Sequence, residues 1–177
     1  MKIRKLLIAN RGEIARRIIR TANKLGIKTV AIYSDADENA LHVRQADETF
    51  YIGQSAPAES YLNIENILKA TADSGSDAIH PGYGFLSENA KFAEACVAAG
   101  IVFVGPSPYA IELMGDKAKA KRAMIDAGVP CVPGYQGEDQ DIETLASEAE
   151  KVGYPIMIKA AAGGGGRGMR MINKAKG

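Results

Sequence analysis

Five short apolar runs recur along the first 106 positions, at 6–9, 29–33, 49–52, 77–80 and 101–104, and segments with helical spacing lie between them. In the first such segment Ile14, Ala15, Ile18, Ile19, Ala22 and Leu25 fall on one face, and Gly26 stands where a helix would stop. A second helix is expected over 64–72, closed by Ser74 and Gly75. A third is placed at 88–99, with Ser87 as its N-cap, Glu88 favourable to the helix dipole and Gly100 as its stop. Strands and helices joined by short connections predict a parallel, doubly wound α/β sheet.

After Pro106 the rhythm breaks. Two helices, 110–114 and 117–127, are followed by a turn at 132–134 and a helix over 142–152. The acidic run at 138–141 reads as the start of that last helix rather than as a metal site. A boundary between two domains is expected between Pro106 and Gly134. The last 23 or so residues read as strand, glycine loop, strand: Ile156, Met157 and Ile158 lead in, Gly163 to Gly166 turn, and Met169 to Ile172 lead out.

Composition narrows the function. Of the 177 residues 46% are apolar, enough for a folded core. With 22 basic and 21 acidic residues the net charge is +1, so no broad field argues for nucleic acid or an anionic membrane. The basic start is followed by only about five apolar residues, too few for a signal segment or a membrane span. Cys96 and Cys131 are far apart and in no metal-binding spacing, which fits a reduced, cytoplasmic setting.

Two places at strand ends invite ligands. Around the first turn, Gly12 is the sole glycine of what would be a dinucleotide fingerprint, although Asp35 and Asp37 follow the second strand where a ribose-binding acid would stand. Arg11 and Glu13 add bulk and charge near the expected pyrophosphate, so an NAD(P)-binding domain is the weaker reading, and Gly12 as a tight turn the better one. The stretch HPGYGFLSE, 80–88, lies at the C-terminal end of a strand, where open α/β sheets bind ligands. It is either a rigid turn that caps the next helix or a binding loop presenting Tyr83.

The glycine run leads into a strand, and no Lys-Ser or Lys-Thr follows it, so it is not a Walker A loop. Backbone N–H groups free of any Cβ can still meet phosphate oxygens, helped by Arg167 and by Lys159 at the end of the incoming strand. The competing readings are a flexible linker and an ordinary exposed lysine. Linkers are not usually gripped between two apolar strands.

Five motifs appear in order: ANRGEIA (9–15), HPGYGFLSEN (80–89), MGDK (114–117), GVPCVPG (128–134), and IKA followed by GGGGRGMR (163–170). Together they resemble the N-terminal part of biotin carboxylases, enzymes of the ATP-grasp class, over the whole chain. The stretch 132–141 further resembles the biotin carboxylase subunits of acyl-CoA carboxylases, the methylcrotonyl-CoA type in particular.

The resemblance implies a Rossmann-like pre-ATP-grasp domain over 1–113. A helical connection and the truncated start of an ATP-grasp lid would follow over 114–177. It implies that Lys117, Lys159, Gly164, Gly165, Gly166 and Met169 contact ATP, and that Tyr83 lies near the biotin pocket. Ala161 and Ala162 stand where many members have Ser-Gly, which stiffens the loop slightly.

The implied reaction is that of a ligase. Bicarbonate takes the γ-phosphoryl of ATP, and the carboxyl group passes through carboxyphosphate and CO₂ to biotin on a carrier protein or domain. The implied cofactors are ATP, Mg²⁺ and biotin. The implied partners are the biotin carrier, a carboxyltransferase subunit and a second copy of the enzyme, with neither nucleic acid nor membrane. The metal-binding and catalytic residues would lie downstream, so the chain is expected to be an inactive N-terminal fragment holding neither. The rival reading is a non-enzymatic α/β assembly module, with Arg16, Arg17, Arg20 and Lys24 of the first helix as solvated or docking residues.

Overall fold

The computed structural model describes residues 2–159 and 168–175. The chain divides into two compact units, Met1–Glu112 and Leu113–Gly177.

In the first unit β1 (Lys5–Ile8), β2 (Lys28–Ser34), β3 (Glu48–Gly53), β4 (Ala78–His80) and β5 (Val102–Phe103) form a parallel sheet in the order β3-β2-β1-β4-β5. β1 is central, with Leu7 beside Val30 on one side and Ile79 on the other. Both faces are covered, which is why the inner strands read as unbroken apolar runs. On one face Leu7, Val30, Ile32 and Ile79 pack with Ile67 of α3 (Ile64–Ser74) and Phe92 of α4 (Ala90–Ala98). On the other Leu6, Ile8 and Ala78 pack with Ala15, Ile18, Ile19 and Ala22 of α1 (Gly12–Lys24). The α/β, doubly wound expectation holds, with helices on both sides of one parallel sheet.

Carboxylates close the N-terminal edge of the sheet. Asp77 accepts hydrogen bonds from the backbone N–H groups of Arg4 and Lys5 at 2.8 and 2.9 Å. Asp47 accepts from the Thr29 N–H and hydroxyl, both at 2.8 Å.

Three short elements join the expected ones: single turns at Asp35–Asp37 and Pro57–Glu59, and α2 (Leu41–Gln45). One expectation fails. Ser87 does not cap α4; Asn89 does, its side chain accepting from the Phe92 N–H at 3.0 Å. Gly84 and Phe85 both have positive φ, +66° and +40°, so the chain turns before it can enter a helix. The Ser87 N–H closes that turn on the Gly84 carbonyl at 2.9 Å.

In the second unit α6 (Lys117–Asp126) follows α5 (Pro108–Gly115) in sequence, and α7 (Ile142–Val152) comes next. Asp139 organises the start of α7, its carboxylate accepting from the Asp141 N–H at 2.9 Å and the Thr144 hydroxyl at 2.8 Å. The acidic run thus serves a helix start, as its sequence suggests. β6 (Ile156–Ile158) and β7 (Arg170–Ile172) pair antiparallel, Ile158 opposite Arg170.

Candidate functional site

At the C-terminal end of the first sheet, residues 10–13, 34–37 and 80–87 converge. Asn10 is buried, and its side-chain amide donates to the Pro81 carbonyl at 2.7 Å and to the Tyr83 carbonyl at 2.8 Å. A Cβ at position 82 would stand 2.8 Å from the Asn10 Nδ2, and φ there is +66°, so glycine is required. Gly12, with φ +62°, makes the strand-to-helix turn that the better sequence reading assigned to it. The His80 Nδ1 accepts from the Gly82 N–H at 3.0 Å, a role that needs the neutral ring. Burial lowers the His80 pKa in the same sense.

The Arg11 guanidinium lies over two aromatic rings, 5.6 Å from the centroid of Tyr61 and 5.8 Å from that of Phe85. Those rings stack at 5.1 Å. The same guanidinium meets the Asp37 Oδ2 at 3.1 Å. That oxygen also accepts from the Tyr61 hydroxyl at 2.8 Å and the Ser34 hydroxyl at 3.3 Å. Burial works to raise the Asp37 pKa, but the Tyr61 and Arg11 hydrogen bonds and the guanidinium charge outweigh it and hold the carboxyl below its usual range. Burial, then the Asp37 carboxylate, pushes the Tyr61 phenol well up. Asp37 is therefore committed to protein partners and is not offered to a ribose, which counts against the NAD(P) reading.

Tyr83 is exposed, and its hydroxyl donates to the Glu13 Oε1. That hydrogen bond, followed by partial desolvation, raises its pKa.

In the second unit Lys117 is the first residue of α6, exposed, directly after Asp116, whose side chain caps the helix by accepting from Ala118 and Lys119 N–H groups at 2.9 and 3.0 Å. Lys159 and Met169 flank the connection between β6 and β7, one at each root, and both are exposed. Gly164, Gly165, Gly166 and Arg167 lie outside the described residues. Lys159 and Met169 thus reach the same end of one hairpin, while Tyr83 belongs to the other unit. Among the described residues no group of three or more His, Cys, Asp and Glu side chains is placed to hold a metal ion.

The contacts of Asn10, Asp37, Tyr61 and Phe85 escape sequence reasoning. The one available signal was the acid after the second strand, but its partners are many positions away.

Residues 2–111 match the family described as biotin carboxylase, N-terminal domain. The chain belongs to that family. In this biotin carboxylase N-terminal chain, residues 116–177 also match the ATP-binding domain of the carbamoyl-phosphate synthase L chain. The chain is 58% identical over 172 residues to the mitochondrial methylcrotonoyl-CoA carboxylase subunit alpha of Oryza sativa subsp. japonica, covering 97% of this chain and 23% of the relative. It is 59% identical over 169 residues to the biotin carboxylase of Halalkalibacterium halodurans, covering 96% of this chain and 37% of that one. The chain therefore spans well under half the length of these relatives.

Among solved structures, the Campylobacter jejuni biotin carboxylase, a β-γ-ATP complex, matches with a TM-score of 0.92 and 50% identity. The match covers 99% of this chain and 39% of that one. The biotin carboxylase domain of the Hydrogenobacter thermophilus 2-oxoglutarate carboxylase, in complex with MgADP, ADP and bicarbonate, matches with a TM-score of 0.90 and 49% identity. That match covers 99% of this chain and 39% of the other. Among the described residues no helix is long and apolar enough to cross a membrane.

Proposed function

We propose that this chain forms the N-terminal domain and the beginning of the ATP-grasp domain of an ATP-dependent biotin carboxylase. The domains would run over 1–113 and 114–177. The observation that carries the reading is the antiparallel β6–β7 hairpin, with Lys159 at its root, in a chain so similar to a biotin carboxylase crystallised as a nucleotide complex.

ATP would supply the phosphoryl group that activates bicarbonate. Lys117, Lys159 and the N–H groups of residues 164–166 would hold its phosphates, and Met169 would pack on the nucleotide. Two lysines and an exposed hairpin suit a polyanion, since charge spread over phosphate oxygens is met by point cations and amide dipoles. Mg²⁺ would neutralise the same phosphates on carboxylates beyond position 177. Tyr83 would border the biotin pocket.

The partners would be a biotin carrier, a carboxyltransferase subunit and a second copy of the enzyme. Location in the cytoplasm is part of the same reading, against the mitochondrial rice relative. The methylcrotonyl-CoA assignment is supported by the 132–141 stretch. Overall identity does not favour it, since 58% to one class and 59% to the other are equal for this purpose.

The test is bicarbonate-dependent ATP turnover. A protein that continues this chain into the remaining ATP-grasp sequence should show it, and its absence would overturn the reading.

A further inference from the structure

Segment 80–87 is held at both ends. At the near end Asn10 binds the Pro81 and Tyr83 carbonyls. At the far end Phe85 adopts φ +40°, a conformation that a bulky side chain keeps only when its surroundings impose it. Those surroundings are the Tyr61 ring stacked on Phe85 and the Arg11 guanidinium over both. Arg11 and Tyr61 are in turn fixed by one oxygen, Asp37 Oδ2, at 3.1 and 2.8 Å.

Packing alone would not need this wiring. An apolar residue at 37 with a phenylalanine at 61 would fill the space without desolvating a carboxylate, and such replacements are often neutral or stabilising. What the carboxylate adds is direction: it sets where Arg11 and the Tyr61 hydroxyl lie, and through them where Phe85 lies. Two positions before Phe85 is Tyr83, exposed and hydrogen-bonded to Glu13.

We infer that Asp37 is a positioning residue: through Arg11, Tyr61 and Phe85 it fixes the 80–87 segment and so the place of the Tyr83 phenol. The consequence for biotin rests on the function proposed above; the placement of Tyr83 does not.

The test places 3-fluorotyrosine at position 83 of the chain and compares its fluorine resonance in the parent and in Asp37→Asn. The expected result is a resonance moved by more than its linewidth, and a phenol titration moved down toward the ordinary tyrosine range as the Glu13 bond loosens. Far-UV circular dichroism should be unchanged. A resonance and titration identical to the parent would overturn the inference. If Asp37→Asn does not fold, Tyr61→Phe, which keeps both rings and removes one hydroxyl, carries the same two outcomes.

Free biotin is then the probe in the longer carboxylase. A KM for biotin raised about ten- to a hundredfold, with the KM for ATP unchanged, supports both the positioning role and the biotin assignment. A fluorine shift with biotin kinetics unchanged keeps Asp37 as a positioning residue and overturns the assignment of Tyr83 to the biotin pocket.

Discussion

The side chain of Asn10 holds the backbone of Tyr83: its amide donates to the Tyr83 carbonyl at 2.8 Å from the first βα turn of the fold. A second hydrogen bond from the same nitrogen reaches the Pro81 carbonyl. Asn10→Ala removes both and leaves the Pro81 carbonyl buried without that donor. The expected loss is about 2 kcal/mol of folding stability. Urea unfolding measures it, and a midpoint equal to the parent's would refute the role given to this amide.

Lys159→Ala in the longer carboxylase should raise the KM for ATP or lower turnover by about ten- to a hundredfold. That is the effect of removing one charge-assisted contact to phosphate. Residues 1–177 alone should turn over no ATP in the presence of bicarbonate. Steady-state kinetics checks both, and an unchanged rate and KM in Lys159→Ala would remove this lysine from the nucleotide site.

Asp47 gives an acid-limb expectation. The Thr29 N–H and hydroxyl, then Lys28, pull its pKa from 3.8 down to about 2 in the folded chain. A carboxyl depressed on folding stabilises above its unfolded pKa, and that contribution is lost as pH falls from about 4 to 2. Its side chain is about a third exposed, so screening reduces the contribution to about 1 kcal/mol. Asp47→Asn should be less stable than the parent by that amount at pH 7. The two unfolding curves should converge near pH 2; a constant gap down to that pH would count against the assignment.

His42 should act over a higher window. It is buried, its Nε2 lies 3.3 Å from the Ile32 carbonyl, and its Nδ1 has no hydrogen-bond partner among the described residues. Burial lowers its pKa below 6.5 despite the raising effects of Ile32 and Asp37. The unfolded chain therefore takes up the proton first, and stability falls as pH drops below 6.5 toward the folded value. His80 contributes in the same sense. His42→Gln should flatten, without abolishing, the fall in stability on acidification below pH 6.5. Urea midpoints at half-unit pH steps would reveal it, and an unaltered slope would show that His42 is protonated without cost in the folded state.

The sheet was legible because its inner strands are covered on both faces, so Leu6 to Ile8 and Val30 to Ile32 read as apolar runs bounded by turns. α2 and the two single turns were not, since one turn of helix has no periodicity to detect. Ser87 and Asn89 are both good cap residues, and the choice between them was made by the positive φ of Phe85, which sequence does not announce in an aromatic residue. Lys159 was visible at the end of a strand. Asp37 was visible as an acid after the second strand, but its partners Arg11 and Tyr61 come from other connections, and nothing local distinguished an ion-paired acid from a ribose-binding one.

The order of the strands has a consequence for the ribosome. β1 is made first yet occupies the centre, and its Leu7 waits for Ile79, about 70 residues later. At roughly 5–20 residues per second that delay lasts about 4–15 s, during which one flank of the central strand has no partner. Synthesis of this chain therefore passes through a period in which the future core is open to chaperones and to other nascent chains.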